Sequence, residues 1–112
     1  MATVIIKREK RIGGSAISHN VYLDNIYVGV LKNGKVLNFE ATGGSHTISF
    51  VSNSKLNKKG ADFSLSVNTD DNIIEIKSYF DFIGNYIVEY ADNKPHIATY
   101  VSETGGSRTK VS

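Results

Sequence analysis

The sequence has no cysteine, no tryptophan, one proline and one methionine. The missing cysteine rules out disulfides, thiolate metal ligands and cysteine nucleophiles together, and it fits either redox compartment. No apolar run approaches the roughly 20 residues of a membrane helix, and "MATVIIKREK" is too brief an apolar stretch for a secretory leader. A charge of one sign is lacking too. Thirteen basic and 11 acidic residues leave a net charge of +2, far from the footprint of a dedicated polyanion binder. Nucleic acid is therefore not an expected partner. A soluble, cytoplasmic chain is expected, or an extracytoplasmic one if it is part of a longer protein.

What is present reads as strands. At 112 residues and 40% hydrophobic, the chain matches one domain with a modest core. Helical periodicity is almost absent. Short runs rich in Val, Ile, Tyr, Phe and Thr recur between Gly, Asn, Asp and Ser. The runs cover 4–8, 21–24, 27–31, 37–40, 46–51, 63–67, 73–80, 86–91 and 96–101. The stretches "GGS" (13–15), "TGGS" (42–45), "NTDDN" (68–72) and "DNKP" (92–95) separate them as turns, and Pro95 sits where its missing N–H does no harm. Asn33-Gly34, flanked by lysines and apolar runs, predicts a type I′ hairpin, whose two central residues both need positive φ. The pattern predicts an all-β fold with antiparallel pairing, an immunoglobulin-like β-sandwich with a small barrel as the alternative, of about eight strands and no significant helix. Residues 1–102 form its single domain, and "ETGGSRTKVS" (103–112) is a flexible tail or linker.

The stretch "VYLDNIYVGVLKNGKVLNFEATGGSHTISF" carries a family pattern. Its landmarks are Val21, Tyr22, Leu23 and Asp24, then Val28-Gly29, Asn33-Gly34, and Gly44, His46 and Ile48. They resemble PEGA-like bacterial domains and a related uncharacterised bacterial family, whose opening strand and small-residue turn are similar to "VIIKREKRIGGSA". Asn25 stands where that pattern has glycine, and "TGGS" replaces a proline-glycine. The resemblance implies a β-sandwich that works as a non-catalytic module, either extracytoplasmic or membrane-tethered.

Candidate chemistry is thin. His46 could act as a metal ligand or general base, but its strand neighbours Ser45 and Ser49 supply no partner on its face. The simpler expectation is a ring bonded to backbone in the preceding turn. His19, His46 and His96 lie on separate segments without metal-motif spacing, and Asp70-Asp71-Asn72 lacks the spaced ligands of a calcium loop. The glycine stretches have neither a P-loop lysine nor a following helix to hold phosphate. No catalytic residue, metal or cofactor is expected. The basic groups Lys7, Arg8, Lys10 and Arg11, with Lys55, Lys58 and Lys59, read first as charge that protects sheet edges.

The densest binding signal is "YFDFIGNYIVEY". Ordinary core and cross-strand packing is the simpler reading, but its aromatics exceed what one strand face buries, so the candidate binding surface comprises Tyr79, Phe82, Tyr86 and Tyr90 with Lys55, Lys58 and Lys59. The expected function is a non-catalytic interaction or structural module, self-associating through an edge strand or tethered to a larger assembly. The alternative is a carbohydrate- or anionic-polymer-binding domain that uses exposed tyrosines and the polar, aperiodic run "SNSKLNKKG" (52–60), which reads as a basic loop.

Overall fold

A computed structural model describes residues 1–12, 16–53, 59–81, 83–91, 97–98 and 100–102. Among the described residues there are ten strands and no helix. Alternation of apolar and polar side chains dictates most of them. β1 (Ala2–Arg8) turns Ala2, Val4, Ile6 and Arg8 inward. β7 (Ile73–Phe80) buries Ile74, Ile76, Ser78 and Phe80, and β8 (Tyr86–Tyr90) buries Tyr86, Val88 and Tyr90. With β4 (Val36–Ala41) and β9 (Ile97–Ala98), these strands make one sheet in the order β4-β1-β7-β8-β9.

The other sheet runs β10-β6-β5-β2-β3. Its strands are β2 (His19–Leu23), β3 (Ile26–Leu31), β5 (Gly44–Ser52), β6 (Lys59–Val67) and β10 (Tyr100–Ser102). Phe63, Leu65 and Val67 point inward between exposed Ser64 and Ser66, and they meet Ile48 and Phe50 of β5. A fully buried side chain of this size contributes about 1.5–3 kcal/mol relative to an exposed one. Two separate sheets over one shared core make a β-sandwich rather than a closed barrel.

Three expectations need correction. First, the pairing is not all antiparallel: β1 and β7 are parallel, with Val4 opposite Ile74 and Ile6 opposite Ile76. Short turns forbid parallel pairing only between strands adjacent in sequence, and here five strands, β2 to β6, lie along the chain between β1 and β7. Second, Asn33-Gly34 is not a type I′ hairpin. Gly34 has φ +71° while Asn33 is absent from the positive-φ residues, and Lys35 N donates to Lys32 O at 3.0 Å. That is the φ pattern of a type II turn, and it passes the chain from β3 in one sheet to β4 in the other.

The double positive φ of a type I′ turn occurs instead at Asp24 (48°) and Asn25 (69°), between β2 and β3, where Leu23 faces Ile26. Asn and Asp tolerate this region because their short side chains bond locally. Third, the last predicted strand is divided. β9 pairs with β8, whereas β10 pairs with β6 in the other sheet. The turns expected at 13–15 and 92–95, Pro95, His96 and the tail 103–112 lie outside the described residues.

Candidate functional site

Two polar clusters occupy opposite ends of the sandwich, and one apolar edge runs between them. The first cluster begins where β1 ends. Alternation along β1 carries Arg8 to the inner face after Ala2, Val4 and Ile6, so it is 3% exposed. This corrects its assignment to protective surface charge. Its Nη1 donates to Ile17 O at 2.7 Å and to Leu31 O at 3.2 Å. Its guanidinium carbon lies 5.4 Å from the Phe80 ring centre and 5.7 Å from that of Tyr86, within cation–π range.

His19, fully buried at the start of β2, stacks on Tyr86 with centroids 4.1 Å apart. Burial, followed by the neighbouring Arg8 charge, lowers its pKa to about 3, so the ring is neutral at physiological pH. Tyr86 Oη donates to Ser78 Oγ at 2.7 Å inside the core.

The second cluster forms around the Asp24-Asn25 turn. Asp24 N donates to Thr47 O, and Thr47 N donates to Asp24 Oδ1, both at 2.9 Å. Asp24 Oδ2 lies 2.6 Å from Nδ1 of His46, and Nε2 of His46 lies 2.8 Å from Thr42 O. Both ring nitrogens thus face acceptors, which only the doubly protonated ring satisfies. The His46 pKa is raised, first by the hydrogen bond to Asp24, against an opposing effect of burial, with further support from the Thr42 carbonyl and the Asp24 charge.

The carboxylate–imidazole pair resembles the orienting half of a hydrolytic triad. The hydroxyl half does not follow, because Thr42 Oγ1 is 3.5 Å from Nε2 while the carbonyl of the same residue holds that nitrogen at 2.8 Å. A base must have a free lone pair to take a proton. The expected backbone bond in the preceding turn is present, and Asp24 is the partner that strand neighbours could not supply. A positive-φ pair two strands away left no mark in the spacing around His46.

The other nominated residues scatter. Tyr86 and Tyr90 are core side chains, 0% and 3% exposed, and are not surface tyrosines. Sheet alternation turns both inward, and Tyr90 Oη accepts from Ser66 N at 3.1 Å. Tyr79 is half-buried under Arg11, whose guanidinium carbon lies 4.7 Å from the ring centre. Beside it is an open groove lined by Lys10, Arg11, Ile12 and Asn33. Phe82, Lys55 and Lys58 lie outside the described residues, and Lys59 opens β6 opposite Ser102. Lys7 pairs with Glu75 at 3.4 Å on the surface. Asp71 Oδ2 accepts from Asn68 N at 2.8 Å, closing the acidic turn on itself. Among the described residues no His, Cys, Asp and Glu side chains gather in threes as a metal site would need, and no helix is long and apolar enough to cross a membrane.

The apolar edge was not singled out in the sequence. β3 ends its sheet, and its outer side has no paired strand among the described residues. Ile26 is 70% exposed, Tyr27 55% and Val30 38%, while Val36, 56% exposed, follows at the start of β4. Tyr27 meets Tyr22 edge to face at 5.7 Å. Leu37 of β4 packs so close to Gly29 that a Cβ there would stand 2.6 Å from Leu37 Cδ1. The usable signal was an uncharged run, "IYVGVL", between Asp24-Asn25 and Lys32.

Fold and site together define an all-β, two-sheet protein with a histidine–carboxylate corner and an exposed apolar edge. No family model, curated protein or solved structure matches the chain.

Proposed function

We propose that the chain is a non-catalytic interaction module that pairs with a second copy of itself along β3. The observation that carries this reading is the edge. Its six residues, Ile26–Leu31, contain no charge and no proline, and three of them expose apolar side chains. Proteins usually guard such edges with lysine, proline or a β-bulge, and β3 carries only the last, at Val28, where its register with β2 shifts.

Charge favours a second copy as the occupant. Antiparallel pairing of β3 with itself, centred on Val28, places Ile26 beside Val30 of the copy and Asp24 beside its Lys32. Each flank then sets Lys32 beside Asp24, whose carboxylate also holds His46 and Thr47 N, whereas parallel pairing sets like against like. Such a contact is isologous, so it uses both edges and stops at two. The resemblance of residues 21–50 to PEGA-like modules supports the same reading, with 103–112 as the tether.

Sedimentation over a wide concentration range tests it. A concentration-dependent dimer is expected, and Val30→Lys should weaken it about tenfold or more in Kd while thermal unfolding of the monomer is kept. A strict monomer throughout would sink the proposal.

One observation favours carbohydrate or anionic polymer instead: the Arg11–Tyr79 stack beside the Lys10–Asn33 groove offers cations and a ring together. Blank glycan and heparin binding screens remove that alternative.

A further inference from the structure

We propose that His46 is a pH-operated latch that fastens the Asp24-Asn25 turn, and with it the start of β3, to the β4–β5 corner. The device follows from where its bonds lead. Asp24 belongs to the turn, Thr42 to the link between β4 and β5, and His46 to β5. The imidazolium joins the first two by donating from Nδ1 to Asp24 Oδ2 at 2.6 Å and from Nε2 to Thr42 O at 2.8 Å.

Loss of one proton leaves a ring with one donor and one lone pair. Whichever nitrogen keeps its hydrogen, a lone pair then faces either a carboxylate oxygen or a carbonyl oxygen. One of the two bonds becomes a repulsion, so the latch opens by half. The strand is fastened where it needs support, because both turn residues are held at positive φ and non-glycine residues pay for that conformation. The remaining anchors are the reciprocal bonds between Asp24 and Thr47.

The surroundings make His46 the group that titrates. Its partner across β6 is Leu65, flanked by Ser64 and Ser66, so that strand brings no charge to the ring. The β4–β5 link contributes the Thr42 carbonyl and hydroxyl, and the turn contributes Asp24, the charge that acts on the ring. The side chain is 11% exposed, which still leaves a path for the proton. The shift is upward, as two acceptors on one ring require. The latch is closed below the ordinary histidine pKa near 6.5 and opens as pH rises through the higher folded value. It stands whether or not β3 pairs with a copy.

NMR titration of the ring, assigned with His46→Gln, tests the latch directly on the intact chain. The expected result is a His46 pKa above 6.5, slowly exchanging Nδ1 and Nε2 protons at the acid side, and loss of Thr47 amide protection over the same pH interval. After correction for intrinsic exchange, protection falls by up to about tenfold for each unit of the upward shift. Asp24→Asn, which keeps the turn chemistry and removes the charge, should bring the His46 pKa down. If that variant fails to fold, His46→Gln serves alone: it should show Thr47 protection independent of pH. A wild-type pKa at or below 6.5, or Thr47 protection that ignores the titration, overturns the latch.

Discussion

The two ends of the sandwich each hold a histidine, and they use it in opposite ways. At one end His19 is sealed between aromatic rings beside a cationic guanidinium, so its neutral form is favoured. At the other end His46 lies between a carboxylate and a carbonyl, so its charged form is favoured. Residue type is the same; the sign of the neighbours and the access to water decide. Stability follows with opposite signs. The His19 contribution is present above about pH 6.5 and is lost as pH falls toward about 3. The His46 contribution is present below about 6.5 and is lost as pH rises through its raised folded pKa.

The contrast breaks most severely at Arg8. Arg8→Ala removes the donor to two carbonyls and empties space between the sheets, with an expected loss of about 3–5 kcal/mol in urea unfolding. A loss below about 1 kcal/mol would mean that the end is held by the rings alone. Next comes the acid limb. A His19 pKa near 3 predicts that stability falls by about 2 kcal/mol between pH 7 and pH 5. His19→Phe keeps the stack and should flatten that limb in pH-dependent denaturation; an unchanged slope would assign acid sensitivity elsewhere. The smallest effect sharpens the opposite end. Asn25→Gly matches the Asp-Gly preference of a type I′ turn and should raise the unfolding free energy by about 0.5 kcal/mol, measured by the same method. A drop would show that the Asn25 side chain supports the turn.

Much of the architecture was legible because a half-buried strand writes its pleat into the chain. Phe63, Leu65 and Val67 alternate with serines, and Leu37 and Phe39 alternate with Asn38 and Glu40, and the described burial follows both patterns. Turn positions were legible for the same local reason, but turn types were not. Asn33-Gly34 looks like a hairpin because it is one in most two-residue links, yet its flanking strands belong to different sheets. The candidate site was less legible. The run "YFDFIGNYIVEY" has more aromatics than a face can hold, but Tyr86 and Tyr90 both point inward, and three exposed apolar side chains, Ile26, Tyr27 and Val30, share the β3 edge.

The sequence by itself determined strand-forming periodicity, the places where the chain reverses, the absence of thiol chemistry and a nearly balanced charge. These are properties of single residues and near neighbours. Only the tertiary structure decided that β1 and β7 run parallel, that Arg8 is a core residue, that β3 is left at an edge, and that Asp24 reaches His46. Each of these depends on which strands become neighbours. That choice is made by packing two sheets across one core, where residues far apart in sequence are brought together.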